Sequence, residues 1–245
     1  MVTLAIGFWA SKRIKTSTDF TLAGKSLSTS FVGVTIFATW FGSSYIMGNP
    51  SYFVTNGISS YVALIGSTAV CLVLVGYFYS KKLYELNIVT VGDFFKVRYN
   101  QKLETTVSII VIFTYPHWIA AQFVALGYLF QSVLGIQVEY GIIIGAAIVV
   151  LYTYTGGMWA VSYTDMLQSI LIVIGLILLL INTLGQTGGI IPLFAEKPSS
   201  FFSPFPQAGL DNWSEYIAAI LAITIGAIPA QEVYQRVFSA KSKKA

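Results

Sequence analysis

Two short segments that combine glycine with proline are the parts of this sequence best suited to binding an ion or a solute. They are Phe41-Gly-Ser-Ser-Tyr-Ile-Met-Gly-Asn-Pro50 and Ile225-Gly-Ala-Ile-Pro-Ala230. Glycine weakens a helix and proline removes a backbone hydrogen bond, so each segment can leave carbonyl oxygens unpaired within a helix. Ser43 and Ser44 could add hydroxyl oxygens to an ion that binds these carbonyl oxygens. The alternative is that they are small residues which let two helices approach closely. We predict a helix break and a candidate binding element at each segment.

Other side chains exclude several kinds of chemistry. The chain has one cysteine, Cys71, and one histidine, His117. A disulfide framework or a Cys/His metal site needs several such residues, so neither is expected. The sequence has no Ser/His/Asp pattern, phosphate-binding loop or buried pair of carboxylates, which argues against an enzyme. Any bound metal is expected to be a hard cation on oxygen ligands.

Polar side chains cluster directly after the second segment. Gln231, Glu232 and Gln235, together with Arg236, stand at the inner end of an apolar stretch. We interpret the first three as candidate gating residues; the alternative is a solvated helix end whose long side chains reach into water. Asp165 is predicted to cap the start of the apolar stretch Thr164–Leu184, because an aspartate there satisfies free backbone N–H groups.

The elements that carry these residues are apolar enough to cross a membrane. The chain is 56% hydrophobic and 10% charged, with a mean hydropathy of +0.73, whereas soluble domains are about a quarter charged. A hydrocarbon core of about 30 Å takes roughly 20 helical residues. Six stretches are predicted to span it, at Ser28–Tyr52, Ser60–Tyr79, Thr105–Leu134, Val138–Tyr154, Thr164–Leu184 and Trp213–Val237. Met1–Ala10 is about half that length, and we predict that it is the end of a further spanning helix.

Basic residues sort to one side of these predicted spans. Lysine and arginine accumulate on the cytoplasmic side of membrane proteins. If the segment before the first span is cytoplasmic, 13 of the 14 basic residues fall inside and Lys197 alone falls outside. The inside set is Lys12, Arg13, Lys15, Lys25, Lys81, Lys82, Lys96, Arg98, Lys102, Arg236, Lys241, Lys243 and Lys244. We predict a multi-pass protein of the cell (plasma) membrane whose Lys/Arg-rich loops and C-terminal end are cytoplasmic. The basic residues form no continuous stripe, so no nucleic-acid partner is expected.

The two glycine–proline segments fall in the first and sixth predicted spans, which are five spans apart. Inverted-repeat transporters place discontinuous helices at corresponding positions of their two halves. A glycine or proline taken singly is more often a packing feature, but the shared spacing favours binding. We predict one transmembrane domain over 1–245: a partial helix at 1–10, a first five-helix repeat at about 28–184, an external loop at about 185–212 and the first helix of a second repeat at about 213–237.

Four motifs resemble the sodium:solute symporter family, which includes sodium-coupled sugar, proline and choline carriers. They are Asp19-Phe-Thr-Leu-Ala-Gly-Lys-Ser-Leu27, Phe37-Ala-Thr-Trp-Phe-Gly42, Gly156-Gly-Met-Trp-Ala-Val-Ser-Tyr-Thr-Asp-Met-Leu-Gln168 and Tyr234-Gln-Arg-Val-Phe-Ser-Ala-Lys-Ser242. Together they cover nearly the whole chain, and four motifs in order are specific where one would be weak. The resemblance implies an all-α integral membrane protein with the LeuT-type inverted-repeat transporter fold. This chain would be a fragment of it, with a partial first helix plus six transmembrane helices.

The resemblance also implies a sodium site. The family takes two sodium ligands from backbone carbonyls of the first broken helix, which correspond here to Ala38 and Phe41. Its other ligands come from an eighth core helix that this sequence does not reach. Two carbonyls cannot replace the hydration of a hard cation, which takes about six oxygen ligands. The resemblance therefore predicts that Na⁺ is the co-transported ion and that its site is incomplete in this chain.

The solute positions resemble those of the choline carriers. Trp40 and Trp118 match two tryptophans of the aromatic cage that holds a quaternary ammonium, and aromatic faces attract cations. The third cage position is Ala230, which argues against choline itself, and Tyr45 replaces a polar amide of the sugar carriers, which argues against a sugar. Packing or an interfacial belt is the alternative for both tryptophans. We assign Trp40, Ser44, Tyr45 and Trp118 to the solute.

The functional prediction is a sodium-coupled secondary symporter that imports a small organic solute by alternating access. Its partners would be the solute, the sodium ion and the lipid bilayer. The alternative is a membrane module that does not transport, such as the input domain of a sensor or half of a split carrier. A passive channel is less favoured, since the sequence has no ring of charges or repeated carbonyl filter.

Overall fold

The computed structural model describes residues 2–242, and 82% of it is helical. No strand occurs within this range, although an isolated parallel bridge pairs Leu27 with Ala240. Met1, at the start of the predicted partial helix, and Lys243 and Lys244, in the predicted cytoplasmic end, lie outside the described residues.

The described chain forms eleven main helices. In order they are α1 Val2–Ser11, α2 Ser17–Leu22, α3 Thr29–Trp40, α4 Ser44–Asn56, α5 Ile58–Glu85, α6 Val91–Arg98, α7 Gln101–Leu134, α8 Val138–Thr187, α9 Ile190–Phe194, α10 Leu210–Thr224 and α11 Gln231–Phe238. Short 3₁₀ turns occur at Ala23–Lys25 and Ser199–Phe202.

Three of the helices, α5, α7 and α8, are each long and apolar enough to cross a membrane. Helices α3 and α4 meet the same test together as a bent pair, which raises the number to four. The second and third predicted spans correspond to α5 and α7, and the first corresponds to the bent pair. The sixth predicted span is divided between α10 and α11. The count of six spans stays a prediction.

Helix α8 contains two predicted spans, Val138–Tyr154 and Thr164–Leu184. Its 50 residues would extend about 75 Å at 1.5 Å per residue, far more than one crossing needs. Gly157 interrupts it with φ 49° and ψ −146°, leaving 19 residues before it and 30 after it. A Cβ at this position would lie 2.5 Å from the carbonyl oxygen of Phe20, and the positive φ also favours glycine. The two predicted helices therefore meet at Gly157.

The short helix α2 begins with a capping box. The Asp19 amide donates to the Thr16 hydroxyl (3.1 Å), and the Thr16 amide donates to the Asp19 carboxylate (2.9 Å). These bonds satisfy N–H groups that have no partner within the helix. Hydrogen bonding from the Thr16 side chain, and then from the Lys15 amide, lowers the pKa of the Asp19 carboxyl group.

The chain forms two compact units, and the first comprises the described residues of 1–43, 78–166 and 229–245. Its apolar core joins Ala23, Leu27, Val32, Met158 and Ala240. The Leu27 amide donates to the Ser239 carbonyl (3.1 Å), and the Lys241 amide donates to the Leu27 carbonyl (2.7 Å). These bonds attach the segment before α3 to the end of α11.

The second unit comprises residues 44–77 and 167–228, and in it α10 packs against α5. The predicted external loop includes α9 and the 3₁₀ turn that buries Phe201. The Phe201 ring lies edge-on to Phe53, with 5.3 Å between centroids. Gly57, at φ 69°, approaches the Phe201 carbonyl too closely for any Cβ. The division of the chain into one domain with two repeats stays a prediction.

Candidate functional site

The first predicted helix break is present at the end of α3. The Gly42 amide donates to the Trp40 carbonyl (3.0 Å) instead of the Ala38 carbonyl four residues back. The Ser43 amide donates to Oε1 of Gln122 (2.9 Å) instead of continuing the helix. The carbonyl of Ala38 thus loses the amide partner that a continuous helix would give it.

Glycine at position 42 makes this arrangement possible. A Cβ there would lie 2.7 Å from Gln122 Oε1, which is inside van der Waals contact. Without a side chain, the carboxamide of Gln122 can lie against the backbone and accept from Ser43. The break therefore depends on a residue of α7 as well as on local glycine.

Sequence reasoning assigned no role to Gln122. The available signal is a polar amide in an apolar helix, four residues after Trp118, because residues at this spacing share one helix face. Trp118 is 47% exposed, and its spacing from Gln122 puts the two residues on one face of α7.

Trp40, the last residue of α3, has an unpaired donor. Its indole nitrogen Nε1 is buried and has no hydrogen-bond partner among residues 2–242. Indole nitrogen can only donate, and a buried donor without a partner costs about 1–3 kcal/mol. The donor capacity of this atom is therefore unused within the described residues.

The predicted sodium and solute residues are divided between the two units. Ala38, Trp40 and Phe41 lie in the first unit, as does Trp118. Ser44 and Tyr45 lie in the second unit, where the Tyr45 hydroxyl is 2.8 Å from the Thr68 hydroxyl of α5. Ser44 begins a π-helical turn, Ser44–Gly48, and is half-buried.

The second predicted break is also present. Helix α10 ends at Thr224, residues 225–229 form turns, and Ala230 is extended with φ −63° and ψ 113°. Extended backbone here ends the helical path before Gln231 starts α11. Both breaks in the backbone that the glycine–proline pattern predicts are therefore confirmed.

The three predicted gating residues lie together on α11, and each contacts another element of the first unit. Gln231 Oε1 accepts from the amide of Val91 at the start of α6 (2.7 Å). The backbone amide of Gln231 donates to the hydroxyl of Tyr115 on α7 (3.0 Å). The Tyr115 hydroxyl donates in turn to the Glu232 carboxylate. Gln235 Nε2 donates to the carbonyl of Thr21 on α2 (3.1 Å).

Arg236 and Asp165 form a buried ion pair, with 3.5 Å between Nη2 and Oδ2. Arg236 is 8% exposed. It also donates to the main-chain carbonyls of Glu232 (3.0 Å) and Thr35 (3.4 Å). The predicted alternative of a solvated helix end is therefore wrong for Arg236, whose charge is paired inside the protein.

The predicted capping role of Asp165 is also wrong. The second part of α8 begins after Gly157 and runs to Thr187, so Asp165 lies inside a helix rather than at its start. Its carboxylate faces Arg236. A charge-paired carboxylate avoids the cost of burying an unpaired ion.

Metal-binding side chains do not form a cluster among the described residues. Residues 2–242 contain no group of three or more His, Cys, Asp or Glu side chains that could hold a metal ion. A cation at the first break would therefore depend on backbone carbonyls and hydroxyls.

The chain is similar to choline and proline transporters. It is 30% identical over 251 residues to the high-affinity choline transporter 1 of Caenorhabditis elegans, covering 98% of this chain and 42% of that protein. It is 31% identical over 205 residues to the high-affinity proline transporter PutP of Bacillus subtilis, covering 79% of this chain and 42% of that protein. The chain thus spans about two-fifths of the length of these relatives.

The fold is similar to that of a solved transporter. The structure of a Na⁺-coupled sialic acid symporter, in a substrate-bound outward-open state, matches 99% of this chain and 52% of that chain with a TM-score of 0.78 and 22% identity. The match confirms the predicted LeuT-like helical fold.

The family model described as the sodium:solute symporter family matches residues 20–245. The family and the relatives are membrane transporters, which confirms the prediction that the chain is not an enzyme. The predicted resemblance is likewise confirmed, and the chain belongs to the sodium:solute symporter family.

Proposed function

We propose that this protein takes part in sodium-coupled symport, importing a small organic solute across the cell membrane by alternating access. The observation that carries the proposal is the break at the end of α3. There, the Gly42 and Ser43 amides turn away from the helical hydrogen-bond pattern. Transporters of the inverted-repeat type bind ion and substrate at such discontinuities.

Sodium is proposed to bind the carbonyl oxygens of Ala38 and Phe41. The redirected Gly42 amide supports this assignment for Ala38, because a carbonyl without its helical partner is free to accept a cation. Two oxygens supply only part of the coordination shell of a hard cation. Further oxygens, hydroxyls among them, would complete the site.

The solute is proposed to contact Trp40 and Trp118 of the first unit. The assignment of Ser44 and Tyr45 to the solute stays a prediction from the sequence. The buried, unpaired Nε1 of Trp40 supports a solute that carries a hydrogen-bond acceptor, and aromatic faces favour a cationic group. A small organic cation or zwitterion meets both requirements. The similarity to choline and proline transporters is consistent with this class of solute.

The α11 network is proposed to act as the cytoplasmic gate. Gln231, Glu232 and Gln235 connect α11 to α6, α7 and α2. The pair of Arg236 with Asp165 adds a charged contact to α8. Opening would require these polar contacts to exchange for water.

The test is uptake by the full-length protein reconstituted in vesicles, with and without an inward sodium gradient. Choline, betaine, proline and a sugar are offered in turn to the wild type and to Trp40→Ala. Trp213→Ala, which removes a tryptophan from α10, is the control. We expect sodium-dependent uptake of a cationic or zwitterionic solute that Trp40→Ala reduces and Trp213→Ala preserves.

Each failure has a distinct meaning. Uptake that is indifferent to sodium contradicts the coupling, and normal uptake by Trp40→Ala contradicts the solute assignment. Sodium-dependent solute binding without uptake would favour the alternative of a membrane module that does not transport.

A further inference from the structure

Arg13, just after α1, is surrounded by aromatic rings. Its Cζ atom lies 4.6 Å from the ring centroid of Trp9, 4.9 Å from that of Trp159 and 5.6 Å from that of Tyr163. Tyr163 is edge-on to Trp9, with centroids 5.0 Å apart, and stacks on Trp159 at 5.9 Å. We call these four residues the Arg13 cluster. Its members hold one another in place within the first unit.

The guanidinium of Arg13 is oriented but not neutralised. Arg13 is exposed, and its side chain forms no ion pair or hydrogen bond with any residue between 2 and 242. A guanidinium that packs against aromatic rings keeps its N–H donors, which point outward in its own plane, for other partners. This fork of donors matches the oxygens of a phosphate group.

The surroundings of the cluster are positively charged. Lys12 and Lys15, on either side of Arg13, are exposed. The acidic residue that follows them, Asp19, accepts from the amides of Lys15 (3.1 Å) and Thr16 (2.9 Å) and so is committed to the cap of α2. The three basic side chains are therefore available to an external anion.

An apolar surface adjoins the charged one. Helix α1 exposes Phe8 and Trp9, which are 63% and 46% accessible. Tryptophan beside basic residues at the end of an apolar helix is typical of the membrane–water interface. A ligand with an anionic head and an apolar tail fits both surfaces at once.

We propose that the Arg13 cluster, with Lys12 and Lys15, binds the phosphate headgroup of an anionic phospholipid. The acyl chains lie along the exposed apolar side of α1. The proposal rests on the membrane location of the chain and does not depend on sodium coupling or on the solute. A basic residue near a lipid surface contributes a factor of about fivefold in binding, the equivalent of ~1 kcal/mol.

The test is native mass spectrometry of the full chain in detergent. Phosphatidylglycerol and phosphatidylcholine with the same acyl chains are titrated in parallel. The variants are Arg13→Gln, which removes the charge, and Arg13→Lys, which keeps the charge but not the planar fork. Lys82→Gln, which removes an exposed charge from the same predicted side of the membrane, is the matched control.

We expect the wild type to prefer phosphatidylglycerol. Arg13→Gln should lower that affinity about fivefold without changing the affinity for phosphatidylcholine. Arg13→Lys should fall between the wild type and Arg13→Gln, because an ammonium is a point charge rather than a fork. Lys82→Gln should match the wild type. If Arg13→Gln does not fold, Lys12→Gln/Lys15→Gln replaces it and is expected to reduce the same preference.

Four outcomes would overturn the proposal. The first is that Arg13→Gln binds phosphatidylglycerol as tightly as the wild type does. The second is that Lys82→Gln loses as much affinity for phosphatidylglycerol as Arg13→Gln, and the third is that Arg13→Gln loses affinity for phosphatidylglycerol and phosphatidylcholine equally. The fourth is displacement of the lipid by excess inorganic phosphate, which would indicate a site for free anions.

Discussion

The two breaks differ in the partners of their backbone amides. At the first break the Ser43 amide donates to the side chain of Gln122 on another helix. At the second break the amides donate to carbonyls of the same segment. Ile225 donates to Leu221 (3.0 Å) and Ile228 donates to Ile225 (3.1 Å). The same glycine–proline composition therefore gives two different local structures. The first break is completed by a side chain from a distant helix, while the second is completed by a turn within its own segment.

The polar contacts of the second break begin only after it, in α11. There the side chains of Gln231, Gln235 and Arg236 each bond to a different element. From this difference we propose that the first break serves binding and that the contacts after the second hold α11 in place. Four predictions test this division, from the largest expected effect to the smallest.

Breaking the Arg236–Asp165 pair should have the largest effect on stability. Replacing Asp165 alone by Leu, or Arg236 alone by Met, leaves one buried charge unpaired and should cost about 3–5 kcal/mol. The double variant should recover most of this loss, because well-packed apolar residues can replace a buried pair. Thermal unfolding of the chain in detergent measures all three.

The control for this prediction is the pair of Lys96 and Glu104, which is 3.5 Å apart with Lys96 half-exposed. Lys96→Gln should cost less than breaking the buried pair, because the Lys96 side chain is half-exposed and its charge is partly solvated. If Asp165→Leu is no more harmful than Lys96→Gln, the buried pair does not hold α11.

Gly42→Ala should disturb the first break. The new Cβ would meet Gln122 Oε1 at 2.7 Å and displace the acceptor of the Ser43 amide, with an expected cost of about 1–3 kcal/mol. Gly33→Ala in the same region is the control, since nothing lies within 4 Å of that position, and it should be neutral or stabilising.

A double-variant cycle sharpens this test. Combining Gly42→Ala with Gln122→Ala removes the group that the methyl displaces, so the two costs should fail to add by about 0.5–3 kcal/mol. Strict additivity would mean that Gln122 does not complete the break.

Trp40→Phe separates binding from folding. The substitution removes a buried N–H without a partner, so stability of the empty protein should not fall on account of hydrogen bonding. Solute affinity should fall by about tenfold, the loss of one hydrogen bond of ~1.4 kcal/mol. Equilibrium binding of labelled solute measures it, with Trp213→Phe as control. Unchanged affinity would assign the indole N–H to water.

The smallest effect is expected at α2, which Gln235 of α11 contacts through Thr21. The pKa of Asp19 is lowered in the folded chain. The ionised carboxylate therefore contributes to the stability of α2 above the ordinary aspartate pKa of about 3.9. This contribution to stability is lost as the pH falls through the lowered pKa of Asp19 in the folded chain. The protection factors of the α2 amides, which are exchange rates corrected for the intrinsic rate at each pH, should therefore fall at acidic pH, and Asp19→Asn should remove that pH dependence. Thr16→Ala should cost about 1 kcal/mol of local stability at any pH.

Local signals predicted much of the architecture and part of the site. Glycine and proline marked both breaks, and apolar length marked α5 and α7 as spans. The same signals left a gap at residues 155–163 between the two predicted spans of α8, and the interruption at Gly157 lies inside it. Its exact position depends on the close approach of Gly157 to Phe20. Contacts of this kind depend on which distant segment packs there.

The side-chain network of α11 could not be inferred from spacing. Tyr115 and Gln231, which share a 3.0 Å hydrogen bond, are separated by 116 positions. Asp165 was assigned to a helix end because Thr and Asp commonly cap helices. The tertiary structure instead places it inside α8 opposite Arg236.

The sequence by itself determined the apolar helices, the two places where helices stop and the family to which the chain belongs. These follow from hydropathy, from the backbone preferences of glycine and proline and from ordered motifs, all of which are properties of short segments. Only the tertiary structure decided that Gln122 completes the first break, that Arg236 is paired with Asp165 and that aromatic rings surround Arg13. Those partners are fixed by packing between segments far apart in the chain, where a hydrogen bond or an ion pair depends on distances of about 3–4 Å.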